Sequence, residues 1–357
     1  MSSILITGAS GLVGGELLFK NQGKRDICLL VHKNLPSPLL RLPRVKVVRG
    51  DISKPNLGTS KKDFNFLSSQ VTEIIHCAAK TDFSISSSLA EKVNVIGTKN
   101  VIEFAARCKR ISKVGVLSTV YVAGKRKGRV FERELDARAG FVNEYEASKF
   151  RMEKFLQERM ERLPIAIYRL STILGSSKTG EVKQFNAIHQ ALRLYFHGLI
   201  PMVPGNPQAQ VDFISSEYAA NSIHYLFNKK FKAGSTHHII AGKRNSLTLE
   251  DFLIRTYNLF CQSDKEWMRK GFEVPPIVEQ ETFNTLAISI EKTEGVFLKQ
   301  IIRAMNYFVP QLSYPKTFED KYTQAALKGS GIHEKSIQSY YPKIIQYCLE
   351  SKWGTKK

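Results

Sequence analysis

The sequence predicts an α/β chain: a doubly wound parallel sheet with a smaller, mostly helical C-terminal substrate region. Three observations lead there. Short apolar runs recur with room for a helix between each pair, as strand–helix–strand units require. The first run ends in a glycine turn that opens an apolar-periodic helix. Toward the C-terminus, from Ile288 onward, the chain reads with helical periodicity. The 357 residues divide accordingly into 1–263 and 264–357, with a seam at Met268–Pro276.

The elements follow in order. Ile4-Leu5-Ile6 reads as a strand running into Gly8, Gly11 and Gly14. Glycines let a backbone turn sharply and approach a pyrophosphate, whose charge then sits on the amides of the helix N-terminus. A second strand, Ile27 to Val31, ends in His32-Lys33. An acidic residue there would hold ribose hydroxyls; basic residues suit a 2′-phosphate, so NADP is expected in preference to NAD. Val45 to Val48 leads to Gly50-Asp51-Ile52, and Glu73 to His76 leads to Cys77-Ala78-Ala79. Val114 to Leu117 leads to Ser118-Thr119. A helix then carries Tyr145 and Lys149 four residues apart, on one face. A tyrosine is an adequate proton donor, and a nearby ammonium favours its phenolate. Thr119, at a strand end, adds a hydroxyl for the same carbonyl oxygen. Tyr-x-x-x-Lys alone says little; its weight comes from the glycine turn upstream and that hydroxyl.

Farther on, Phe185, Ile188, Leu192, Tyr195 and Phe196 recur at helical spacing, so a helix with an apolar face is expected. His237 and His238 lie in a strand-like run, so they face opposite sides and are not expected to bind a metal. Ile288–Phe308, Thr323–Leu327 and Ser336–Leu349 read as helices capping the cleft.

Composition narrows the function. With 43% hydrophobic and 24% charged residues the chain is globular. Five dispersed cysteines without a CxxC pair indicate neither a disulfide framework nor zinc, and point to a reducing, cytoplasmic setting. No apolar run approaches a bilayer span. The net charge of +21 attracts phosphates, acidic proteins and anionic lipid, so contact with a membrane surface stays open as a partner class. Its basic clusters lack interleaved aromatics, which argues against nucleic acid.

At this point the sequence resembles the extended short-chain dehydrogenase/reductases. The resemblance rests on Thr7–Gly14, Gly50–Ile52, His76–Ala79, Asn94–Thr98, Leu117–Gly124, Tyr145–Lys149 and Tyr168–Gly175. It implies a Rossmann sheet and a catalytic triad of Thr119, Tyr145 and Lys149. Gly8, Gly11 and Gly14 would hold the pyrophosphate, Asp51 would meet the adenine, and Ala78 would line the cofactor. Ser10, Leu12, Val13, His32, Lys33, Ile52, Ala79, Asn94, Leu170 and Thr172, with Tyr145 and Lys149 again, would complete the cofactor site. Many relatives have Arg after the second strand where His32-Lys33 stands, and Arg-Pro where Arg169-Leu170 stands.

Gly50–Gly58, Ser176–Gly180 with Phe185-Asn186, and Gly198–Gly205 before Asp212 look like the thioester reductase and fatty acyl-CoA reductase branch. The expected activity is NADPH-dependent reduction of an acyl thioester, borne on coenzyme A or an acidic acyl carrier protein, to aldehyde and then alcohol. The alternatives are an extended reductase or epimerase acting on a ketone, sterol, flavonoid or nucleotide sugar, and a non-enzymatic NADP-binding sensor.

Overall fold

A computed structural model describes residues 3–32, 42–293, 295–306 and 309–355. Among these residues seven strands form the central sheet: β1 (Ser3–Thr7), β2 (Asp26–Val31), β3 (Val45–Arg49), β4 (Val71–His76), β5 (Lys113–Thr119), β6 (Ile165–Leu170) and β7 (Thr236–Ile239). All pair in parallel, in the order β7-β6-β5-β4-β1-β2-β3. Chain direction across the sheet reverses between β1 and β4, and ligands of such sheets sit in the crevice at that point.

The strands read as near-continuous apolar runs because both faces are covered. Within β1, Ile4 and Ile6 face one core and Leu5 the other. Helices Leu12–Asn21 and Ser216–Lys229 cover the first face through Leu17, Leu18, Ile223 and Phe227. Helices Lys61–Gln70, Gly97–Arg107 and Glu144–Gln157 cover the second through Leu67, Phe104, Met152 and Leu156. The exposed, alternating pattern of β3 marks it as the sheet's edge.

A third apolar cluster joins Leu192, Phe213 and Phe252 to Trp267, Tyr341 and Ile344, and so draws on both sides of residue 264. The long helix expected at Ile288–Phe308 is two, Gln280–Glu291 and Val296–Asn306. The first ends in a tightened turn, with the Lys292 and Thr293 amides bonded to Ser289 and Ile290, and Gly295 follows; Phe308 lies outside the described residues. The helix expected at Ser336–Leu349 begins at Tyr341, because Pro342 lacks an amide hydrogen and suits only a first turn. A short 3-10 turn, Ile337–Ser339, precedes it.

His237 and His238 do face opposite ways. His237 bonds to Thr323 (3.2 Å), while His238 bonds to the Glu319 carbonyl (2.7 Å) and to Arg169 (3.1 Å). No helix among the described residues is long and apolar enough to cross a membrane.

Candidate active site

A cleft of about 940 Å³ opens at the C-terminal ends of β1, β4, β5 and β6. Its first end is the glycine turn. Gly8 has φ +73°, and a side chain there would meet the Ala78 amide at 2.6 Å. Gly14 packs so tightly that a Cβ would lie 2.2 Å from the Gly8 carbonyl. Gly11 lines the cleft, where an added Cβ would meet only the Gly8 carbonyl, at 3.3 Å. Among the described residues no side chain caps the helix that begins after Gly11, so its first amides suit an anion. Ser10, Leu12 and Val13 line the same end.

Asp51 and Ile52 follow at the end of β3. The Asp51 carboxylate accepts from the Ser53 amide (2.9 Å) and hydroxyl (2.7 Å), and the His32 ring lies 3.4 Å away. Burial works to raise its pKa, but the Ser53 donors, with His32 and Lys54, hold it below the ordinary value. Lys33 lies outside the described residues. An uncapped helix start beside close-packed glycines, with a carboxylate two strands over, fits a dinucleotide.

At mid-cleft stand Thr119, Tyr145 and Lys149, which are 4%, 7% and 4% exposed. β5 delivers Thr119. Helix Glu144–Gln157 delivers the other two, one turn apart, and Asn143 caps it by accepting the Glu146 amide (3.0 Å). Burial raises the pKa of the Tyr145 phenol, with the Thr119 hydrogen bond opposing and the charges of Glu146 and Tyr121 adding. The phenol therefore keeps its proton through the neutral range. The Lys149 ammonium donates to the Leu117 carbonyl (2.7 Å) and contacts the Met152 sulfur (3.4 Å). Burial lowers it to about 8, against the charges of Glu153 and Cys77. Phe83 stacks on Tyr145 with ring centroids 5.5 Å apart, and meets Tyr121 edge-on at 6.0 Å. Tyr121 in turn bonds to Thr172 (2.9 Å). Ala78, Ala79, Leu170 and Thr172 also line the cleft.

Asn94 does not line it. It is 1% exposed, and its amide is spent bridging the Lys80 backbone (2.9 and 3.0 Å) and the Ser148 hydroxyl (3.0 Å). It shapes the wall from behind. Cys77 lines the cleft, but burial pushes its thiol up to about 12, so it is no thiolate nucleophile at neutral pH.

The far end is apolar. Ile188, Ala191, Leu192 and Tyr195 present one face of helix Ala187–Phe196, opposite Phe213 and Phe252. Phe185 and Phe196 turn away: Phe185 meets His189, and Phe196 stacks on Trp267. Sequence reasoning passed over Phe83, Gln311, Tyr314, Lys316 and Phe318, all of which line the cleft. Phe83 follows the His76–Ala79 motif by four residues, but the other four carry no local signal.

The family profile described as "Male sterility protein" matches residues 6–223. One of the proteins that make up the linear gramicidin synthase of Brevibacillus parabrevis is 26% identical over 78% of this chain, which spans 6% of that protein. A Drosophila melanogaster protein provisionally named a fatty acyl-CoA reductase is 25% identical over 98% of this chain and 73% of its own length. The terminal R domain from the myxalamid PKS-NRPS pathway superposes with a TM-score of 0.79 at 24% identity, over 99% of this chain and 92% of that one, and so shares the fold. By its profile match over more than half its length, the chain belongs to the male sterility protein family of extended short-chain dehydrogenase/reductases and is an NAD(P)-dependent oxidoreductase.

Proposed function

We propose that this protein reduces acyl thioesters with NADPH, using Thr119, Tyr145 and Lys149. One observation carries the reading: a single cleft runs from the glycine turn, past two buried hydroxyls, into a chamber lined by aliphatic and aromatic side chains. A dinucleotide and an acyl chain placed end to end would meet at those hydroxyls. NADPH, when bound, supplies a hydride to the thioester carbon. Thr119 and Tyr145 donate to the carbonyl oxygen as charge develops on it. Tyr145 gives up its proton, the resulting hemithioacetal releases the thiol, and an aldehyde is left. A second round on the aldehyde yields the alcohol. No covalent enzyme intermediate is needed, in keeping with the inert Cys77 thiol.

The similarity to the Drosophila protein favours an acyl group on coenzyme A, and an acyl carrier protein is the other source of a thioester. Both carriers are anionic, and a chain at +21 attracts either. NADPH absorbance followed against acyl-CoAs, acyl carriers, aldehydes, ketones and nucleotide sugars tests the class. Consumption with thioesters is expected; activity confined to ketones or nucleotide sugars would remove the reading.

Two further outcomes are expected. Lys33→Glu puts a carboxylate where the sequence has a lysine two residues after Val31, and should weaken NADPH far more than NADH in a titration of each; an unchanged preference means that the 2′-phosphate is recognised elsewhere. The second concerns pH. Lys149 is an ammonium below about pH 8 and neutral above it. Catalytic efficiency, which reports the free enzyme, should therefore fall above about pH 8. Lys149→Arg should move that limb out of range, because arginine keeps its charge. A limb that stays put in the variant belongs to another group.

A further inference from the structure

We propose that Gln311 and Lys316 are positioning residues of the reduction: from a C-terminal strap they tie the turn that presents Thr119 to the helix that presents Tyr145. Both lie beyond the 6–223 span of the family profile. The inference rests on the reading that Thr119 and Tyr145 carry the chemistry.

The strap runs from a 3-10 turn at Val309–Ser313 into a short strand, Lys316–Phe318, which pairs in parallel with Gly128–Val130. Lys316 is 8% exposed. Its ammonium donates to the Gly124 carbonyl (2.7 Å) and to the Gln311 side-chain carbonyl (2.7 Å). Gly124 ends the turn Val120–Ala123, which begins at Thr119 and is closed by the Thr119 hydroxyl accepting the Tyr121 amide (3.2 Å). The first anchor thus lies five residues from the Thr119 hydroxyl.

The second anchor lies beside Tyr145. The Gln311 amide nitrogen donates to Glu146 Oε1. Glu146 is fully buried and follows Tyr145 in the chain. Its other oxygen accepts the Val142 amide (3.0 Å), so the carboxylate also fastens the segment leading into the helix. One carboxamide is used at both ends: its oxygen toward the lysine, its nitrogen toward the glutamate. The chain of contacts is Gly124, Lys316, Gln311, Glu146.

This arrangement is costly unless it is complete. Burial pushes the Glu146 carboxyl up and the Lys316 ammonium down, so each depends on these partners to stay charged. Other charges face the pair: Lys125 acts on Glu146 and Arg126 on Lys316. Neither bridges the two catalytic elements as Gln311 does. A strap needed only for folding could dock on apolar contacts; Leu312 already packs against the third core. A glutamine and a lysine at the cleft wall, aimed at the two hydroxyl-bearing elements, serve alignment, where a misplacement of about 1 Å costs roughly a hundredfold in rate.

Gln311→Met keeps the side chain's length and removes both ends of the relay. Its kcat should fall about tenfold or more, with the NADPH dissociation constant and acyl-substrate KM within about twofold of wild type. Amide exchange should quicken in 120–124 and 142–146 together. Lys316→Met should lose as much, and Lys316→Arg, which keeps charged donors, should recover most of the rate. The lysine pair serves equally where Gln311→Met fails to fold. Wild-type kcat in Gln311→Met or Lys316→Met, beside an inactive Tyr145→Phe, would overturn the proposal. So would faster exchange confined to 309–318. Normal turnover in Tyr145→Phe would instead remove the catalytic reading, and the clamp with it.

Discussion

Tyr145→Phe is expected to lower turnover by about a hundredfold or more, the usual share of a positioned general acid. The ring stays, so its stacking on Phe83 at 5.5 Å survives and the cleft keeps its shape. What goes is the hydroxyl that hydrogen-bonds to Thr119 and is proposed to give up the proton. NADPH affinity should change little, because the glycine turn and Asp51 are untouched. Single-turnover rates with saturating cofactor, measured beside a cofactor titration, separate the two effects. A variant that binds normally and turns over normally would show that the proton comes from elsewhere.

Arg169→Met should cost about 3–5 kcal/mol of stability, the range for stranding one partner of a buried ion pair. Arg169 and Glu153 are both wholly buried, with Arg169 Nη2 and Glu153 Oε2 at 2.7 Å and the guanidinium Nε at 3.1 and 3.0 Å from the two carboxylate oxygens. The same guanidinium donates to the Glu132 carbonyl (3.2 Å) and meets His238 (3.1 Å). Glu132 in turn accepts from the His238 and Thr323 amides (3.1 Å each). The network fastens β6, β7 and the helix of Tyr145 to the C-terminal segment. The methionine variant strips the buried Glu153 carboxylate of its guanidinium donors and leaves it only the charge of Lys149. Replacing both partners by apolar residues should recover much of the loss, since the pair's desolvation cost goes with it. Urea unfolding of the single and double variants decides this; a single variant within about 1 kcal/mol of wild type would contradict it.

What the sequence discloses and what it hides divide along chain separation. The glycine turn is legible because steric rules act within a few residues: Gly8 needs its positive φ and Gly14 its bare Cα whatever the rest of the chain does. Tyr145 and Lys149 are legible because helical spacing alone puts them on one face. Gln311 and Lys316 sit 165 and 192 residues from the atoms they bond, and nothing local marks them. Asn94 falls within a recognisable motif, yet its side chain serves the backbone of Lys80 and not the cleft, a distinction that spacing does not carry. The apolar stripe of helix Ala187–Phe196 is visible as a whole. Which of its members face the cleft depends on Trp267, far along the chain, which draws Phe196 aside.

The central claim, hydride delivery to a thioester carbon, is tested most directly with isotope. Purified protein is given acyl-CoA and NADPH carrying deuterium at the transferring position of the nicotinamide, and the organic products are read by mass spectrometry. One deuterium on C1 of the aldehyde, or two on C1 of the alcohol, is expected, together with release of free coenzyme A thiol. NADPH oxidised without label at C1, or acyl-CoA returned intact while a ketone or nucleotide sugar takes up the deuterium, would contradict it.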